Sequence, residues 1–190
     1  LKGVATEDFW KYELVAALDH VSISEECTPI EAMIVAASRK IKERVISRGY
    51  KTLFGGIGVS GLASWLAYFQ LRQQGYDLDL IAAGMGGVPR PADPFLISLA
   101  NLSTAKMLPE IIDIHGTCVT GTNNSCLGVL GAGQIDKYGN INSSRIGELY
   151  IAGSGGSNDI ASGAREVVVV TRQSARRFVD KVSYITCPGN

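Results

Sequence analysis

Asp79-Leu80-Ile81-Ala82-Ala83-Gly84-Met85-Gly86-Gly87-Val88-Pro89-Arg90-Pro91 decides how this chain is read. Four apolar residues of buried-strand type, Leu80 to Ala83, run straight into glycine and proline. Such a change places a loop at the carboxyl end of a strand, where open α/β sheets keep their ligand sites. Glycines there let the backbone approach a ligand closely. Yet from Leu80 to Pro91 there is no carboxylate, thiol, hydroxyl or imidazole. The stretch has the form of an active-site loop without its reactive group.

Working outward, the upstream neighbour supplies the rest of a parallel unit. Lys51 to Phe54 reads as a strand and Gly55-Gly56-Ile57-Gly58-Val59-Ser60-Gly61 breaks it. Leu62 to Gln74 follows as a helix with Trp65, Leu66 and Phe69 on one face, stopped by Gly75. With the strand Leu78 to Ala82 this makes βαβ, the connection that parallel strands need. Gly56 to Gly61 matches the spacing of a dinucleotide fingerprint, but Ala82 and Ala83 end the next strand where an acidic residue would hold the ribose, so a nicotinamide cofactor is not expected. What survives is a set of free N–H groups at a helix start, able to hold an oxyanion or phosphate.

Further upstream, Thr28-Pro29-Ile30-Glu31 is a helix start: Thr28 caps, Pro29 fits the first helical position, and Glu31 reaches back. The helix is expected to run to Arg48, with Gly49 as its left-handed stop. Residues 1–27 read as an N-terminal extension, helical through Trp10, Leu14, Ala17, Leu18 and Val21. Downstream, Ala92 to Leu108 is read as a helix and Ile111 to Val119 as a loosely alternating strand, with His115 as a core histidine. Leu127 to Gly131, Leu149 to Ala152 and the β-branched Val167 to Val170 complete a set of strands of one sheet. Asp136 to Asn142 is dense in turn formers and reads as a tight surface turn. Arg172, Arg176, Arg177 and Lys181 form a basic cluster, ordinarily a solvated face and here also suited to a phosphate.

Bulk properties narrow the classes. The 190 residues carry 18 Lys plus Arg against 18 Asp plus Glu, so neither nucleic acid nor an anionic membrane is the expected partner. No apolar run approaches the roughly 20 residues that span a bilayer. Cys27, Cys118, Cys126 and Cys187 lack close metal-ligand spacing, so reduced thiols, no metal and a cytoplasmic location are expected. The chain starts at Leu1 and stops at Asn190, and is expected to be part of a longer one.

Three separated stretches resemble the family I coenzyme A transferases, of the glutaconate B-subunit type. They are Gly56-Ile57-Gly58-Val59 with Leu62 and Ala63, the run Gly131 to Asn142, and Gly153-Ser154-Gly155-Gly156-Ser157-Asn158-Asp159-Ile160-Ala161, continued by Arg177-Phe178-Val179 and Tyr184 to Gly189. Of these, Gly131 to Asn142 is the most specific. The resemblance implies an open, mainly parallel α/β sheet flanked by helices, shared with ribose-5-phosphate isomerase, over residues 28–190. It also implies an A-type partner half, as a separate subunit or in the same polypeptide. Acyl-CoA and a carboxylic acid would be the substrates, with no permanently bound cofactor. In the family a strand-end glutamate attacks the acyl-CoA carbonyl and passes CoA on through a glutamyl thioester. The family's triplet there is Glu, a small residue, Gly; here it is Ala82-Ala83-Gly84.

The catalytic residue is therefore left open, with Ala82 at the nucleophile's position and Asp93 as the next carboxylate downstream. Gly56, Gly58, Gly84, Gly155, Gly156, Ser157 and Asn158 are the candidates for holding CoA or an oxyanion. The function expected is a B-type half acting on acyl-CoA without the covalent glutamyl step. Two alternatives stand beside it: an inactive half kept for assembly or acyl-CoA sensing, and an acyl-CoA hydrolase or carbon–carbon bond-cleaving enzyme. A sugar-phosphate isomerase shares the implied fold but not the Gln134 to Asn142 run.

Overall fold

A computed structural model describes residues 16, 19–82, 86, 105–121 and 124–189. Most of the expected N-terminal helix, most of the helix read over Ala92 to Leu108, and Gly84 and Asp93 lie outside these residues.

Helix α1, Pro29–Arg48, begins and ends where its sequence says. The Thr28 side chain accepts from the Glu31 amide and the Glu31 carboxylate accepts from the Thr28 amide, a complete capping box. Gly49 closes the helix at φ 68°, a left-handed conformation that suits glycine. Strand β1 (Thr52–Gly55), helix α2 (Val59–Gln73) and strand β2 (Asp79–Ala82) form the βαβ unit. Helix α2 starts at Val59, earlier than its apolar face suggests, because Gly58 takes φ 80° and turns the chain directly into it.

The strands β1, β2, β3 (Cys126–Gly131) and β8 (Glu166–Val170) form one sheet in the order β2-β1-β3-β8, every pair parallel. Side chains alternate across it. Leu53, Leu80, Leu127 and Val129 pack under α1 and α2 with Ile41, Val45, Ala63 and Leu71. Phe54, Ile81, Cys126 and Leu130 point the other way, against Ile114, Val119 and Ile160. Gly128 lets the second layer come close, since a Cβ there would stand 2.7 Å from Ile160 Cγ2.

Two expectations are corrected. Ile111 to Val119 is not a strand: it is a helical turn, α3 (Ile111–Ile114), continued by a π-helical turn, His115–Val119. Ile114 and Val119 face one layer of the core while Ile111 and Ile112 are exposed, and a short apolar run cannot distinguish helix from strand by periodicity. Leu149 to Ala152 does not join the parallel sheet either. Strand β7 (Leu149–Tyr150) pairs antiparallel with β6 (Arg145–Ile146) in a separate exposed hairpin. A third small sheet contains β4 (Gln134–Asp136), β5 (Ile141–Asn142) and β9 (Phe178–Val179). Helix α4, Ser157–Gly163, precedes β8. Among the described residues, no helix is long and apolar enough to cross a membrane.

Candidate acyl-CoA site

The strand order reverses between β1 and β3: the chain moves from β1 outward to β2, then returns to the far side of β1. Open α/β sheets bind ligands at the carboxyl ends of strands beside such a reversal. Here those ends are Gly55 of β1 and Gly131 of β3. The Gly56 amide donates to Val129 O at 2.8 Å, folding the loop against β3. A Cβ on Gly56 would stand 2.6 Å from Ser60 Oγ and 2.7 Å from Val129 O, so only glycine fits. The hydroxyls nearby are turned inward, Ser60 Oγ donating to Ile57 O and Ser64 Oγ to Ser60 O. What this loop offers a ligand is backbone.

A cleft of roughly 330 Å³ opens beside it, between the Ile57 to Ser60 loop, Gly131 and Ala132 after β3, and Thr171 and Arg172 after β8. Ile30 and Met33 of α1 close its apolar side. Of the basic cluster, Arg172 and Arg177 line this cleft. Arg177 Nη1 is committed to Ala132 O at 2.8 Å, and Thr171 Oγ1 donates to the same carbonyl.

Ala82 ends β2 in register with Gly55, half-buried against the α1 and α2 side of the core. Gly86, further along the same stretch, exchanges backbone hydrogen bonds with Met107.

The second glycine loop gathers elsewhere. Gly155 takes φ 52°, and Ser157 donates to Ser154 O through both its amide (3.0 Å) and its hydroxyl (2.6 Å). Cys187 Sγ lies 3.7 Å from the Ser157 hydroxyl, and Asn158 turns its amide to Asp159. Gly156 lies against His115, where a Cβ would stand 2.6 Å from Cε1. His115 packs edge-on against Phe54 with ring centroids 5.2 Å apart, on the face opposite α1 and α2. Gly56 and Gly58 therefore lead into the α2 layer, while Gly155, Gly156, Ser157 and Asn158 stand at the start of α4 over the other face.

His115 is a core residue, as expected, but not a satisfied one. Its Nδ1 is buried without a hydrogen-bond partner, 3.4 Å from Asp159 Oδ2. Nothing local in sequence joins these two residues; only the packing of the π-helical turn on α4 does. The part that Ile30, Met33 and Thr171 play in the cleft also escaped the sequence, since each belongs to an element read there for its local structure alone.

The Gly131 to Asn142 run is more than a surface turn. Tyr138 is exposed, but Gln134, Asp136 and Asn142 are buried. Burial of Asp136 opposes ionisation, yet N–H groups of the Asn140 side chain and of the Val182, Asn140 and Tyr138 backbone outweigh it and hold the carboxyl below its ordinary range. Asn142 Nδ2 donates to Gln134 Oε1 at 2.8 Å and to Arg145 O at 2.7 Å. Ile141 and Cys187 exchange backbone hydrogen bonds, and the Gly189 amide donates to Asn140 Oδ1. The polar residues of this run shape backbone and hold residues 187–189 in place.

Residues 121–190 match the sequence model of the coenzyme A transferase family. The chain is 32% identical over 166 residues to the B subunit of 3-oxoadipate CoA-transferase from Pseudomonas knackmussii, across 84% of this chain and 60% of that one. Along most of its length the chain is thus similar to a coenzyme A transferase B subunit. The B subunit of glutaconate CoA-transferase from Acidaminococcus fermentans is 38% identical over 71 residues, which is 35% of this chain and 26% of that one. The crystal structure of glutaconate coenzyme A-transferase from the same organism superposes with a TM-score of 0.68 at 25% identity, covering 86% of this chain and 63% of that one. The chain thus spans less than two thirds of the length of these transferase chains, and both sequence relatives are B subunits.

Proposed function

We propose that this chain is the B-type half of an acyl-CoA-handling assembly, completed by an A-type half, and that no glutamyl intermediate forms on it. The observation that carries the reading is the pairing of Ala82 with Gly55 at the carboxyl ends of adjacent parallel strands, beside the sheet's reversal point. That is the position which the family resemblance gives to the attacking glutamate, and a methyl group forms no anhydride. A nucleophile for CoA transfer then comes from the A half or from the acceptor acid itself.

Backbone groups do the holding. With the Gly56 amide committed to Val129 O, the donors this loop offers a thioester oxygen as it gains charge are those of Ile57 and Gly58. Arg172 supplies a positive charge for a phosphate. A cleft of roughly 330 Å³ takes an acyl or pantetheine segment, not the whole of CoA, and leaves the remainder to the partner half. Gly84 belongs to the same strand-end loop as Ala82 in sequence. Gly155, Gly156, Ser157 and Asn158 form the second set of contacts, with Asn158 offering its side-chain amide. With its thiols reduced, such a protein fits the cytoplasm.

The test is intact-mass spectrometry after incubation with acyl-CoA. The unmodified chain is expected at its own mass, and borohydride, which reduces a glutamyl thioester, is expected to leave activity of the A–B assembly unchanged. A covalent acyl or CoA adduct on this chain overturns the reading, and Asp93 is where the adduct would be sought first. Failure to co-purify with any A-type half would overturn the partnership.

A further inference from the structure

The cleft beside the Gly56 to Gly58 loop is uneven in its chemistry. Large apolar side chains line it from four elements: Ile30 and Met33 of α1, Ile57 of the loop, Val59 of α2 and Val170 of β8. Ile30 is 39% exposed and Ile57 59% exposed, so apolar surface stands open to water on two of those elements at once. Ile30 and Met33 are three positions apart on α1 and share one helix face. The capping box of Thr28 and Glu31 fixes the turn that carries Ile30. Met33, unbranched and polarizable, adapts its shape to neighbours of different length.

The polar side chains of the same cleft are largely occupied. Ser60 Oγ donates to Ile57 O, Thr171 Oγ1 donates to Ala132 O at 2.9 Å, and Arg177 Nη1 donates to that same carbonyl at 2.8 Å. Arg172 is exposed and remains for a phosphate. A pantetheine arm would bring amides and a hydroxyl to walls with few hydrogen-bonding groups left to offer, at a cost for each group unpaired. A hydrocarbon chain brings none of these and covers the open faces of Ile30 and Ile57.

We propose that this cleft is the acyl pocket, that it takes an aliphatic acyl group without a terminal charge, and that Ile30 and Met33 determine the specificity. The assignment rests on the reading that the amides of Ile57 and Gly58 hold the thioester oxygen. From there the acyl chain runs past Val59 onto the α1 face, and the pantetheine arm leaves the cleft for the partner half.

The test follows the Met33 methyl group by NMR in the full chain labelled with 13C-methyl methionine. The chain has three methionines, and Met33→Leu, a swap of similar volume, identifies the signal. Hexanoyl-CoA is expected to shift that signal, and free CoA to leave it in place. By calorimetric titration, affinity along acetyl-, butyryl- and hexanoyl-CoA is expected to rise about threefold for each methylene that the cleft covers. Ile30→Ser, at an exposed position, is expected to flatten this series, with hexanoyl-CoA bound about tenfold more weakly. A flat series in the wild-type chain, an unchanged slope in Ile30→Ser, or tighter binding of adipyl-CoA than of hexanoyl-CoA overturns the proposal. A Met33 signal that free CoA moves as far as hexanoyl-CoA does puts pantetheine in the cleft, which overturns the acyl assignment and keeps the acyl-CoA reading. A signal that neither ligand moves, in a chain that still pairs with an A-type half, overturns the acyl pocket while the B-type reading stands.

Discussion

Arg44 and Glu166 join helix α1 to the outer strand of the sheet through a two-pronged pair. Nε lies 2.6 Å from Oε1 and Nη2 lies 2.8 Å from Oε2. Tyr50 adds a third contact, its hydroxyl donating to Oε2 at 2.9 Å. A planar guanidinium meeting a carboxylate in this way is both directional and stronger than a single contact. The cluster borders a polar depression at the amino ends of β3 and β8, away from the candidate site.

The first prediction concerns acid stability. The Arg44 hydrogen bonds, ahead of those from Tyr50, hold the Glu166 carboxyl below its ordinary range against the opposing effect of burial. A carboxyl depressed on folding contributes stability that is complete above its unfolded value and lost as pH falls through the folded one. Wild-type melting temperature is therefore expected to fall more steeply below pH 5 than that of Glu166→Gln. At pH 7 the variant is expected to melt about 2–4 °C lower. Equal melting of the two proteins at pH 7 would show that the pair contributes nothing.

Thr28→Ala removes the oxygen that accepts from the Glu31 amide. Loss of such a cap costs about 1 kcal/mol, or roughly 2–4 °C in a chain of this size. Thr28→Ser keeps the acceptor and is expected to melt within about 1 °C of wild type. Differential scanning calorimetry distinguishes them.

Two glycines at the cleft should respond differently to a methyl group. Gly56→Ala forces a Cβ onto Val129 O, a backbone atom that cannot step aside, and is expected to destabilise by about 1–3 kcal/mol. Gly131→Ala meets nothing within 4 Å and is expected to fold with wild-type stability. Urea denaturation of both variants gives the comparison. A Gly56→Ala chain as stable as Gly131→Ala would contradict the close approach of the loop to β3.

Thiol reactivity should follow burial. Burial pushes the Cys126 thiol up to about 12, with Cys118 nearby adding to the effect, and it raises Cys118 and Cys187 as well. Cys27 is exposed. With a disulfide reagent at pH 8, Cys27 is expected to react at once, and Cys126 and Cys187 only on unfolding. Peptide mapping after brief labelling identifies the modified residue.

Local chemistry was legible in the sequence. Helix α1 could be bounded to the residue because Thr28, Pro29, Glu31 and Gly49 each answer a specific unsatisfied backbone group. The βαβ unit was equally readable, since glycines mark both ends of α2. What escaped were features set by distant parts of the chain. Leu149 and Tyr150 have strand-forming side chains, but Gly147 at φ 57° turns them back onto β6. In the run from Gly131 to Asn142, polar residues that look like a solvated turn are buried because Val182 and Gly189 come back to meet them. At the site, the glycine positions were readable as loops, but which sheet face each loop covers was not. The contact of His115 with Asp159 depends on how α4 crosses the sheet.

The hydrogen bond from Gly189 to Asn140, and the exchange between Cys187 and Ile141, carry a consequence for biosynthesis. A chain emerging from the ribosome amino end first can assemble α1, β1, α2 and β2 from neighbours already made. The turn at Asp136 to Asn142 cannot be finished in that interval, because the backbone that pairs with Ile141 is translated some forty residues later. Until then its buried Asp136 and Asn142 are open to water, and a nascent protein stalled short of Gly189 would expose them to the quality-control machinery.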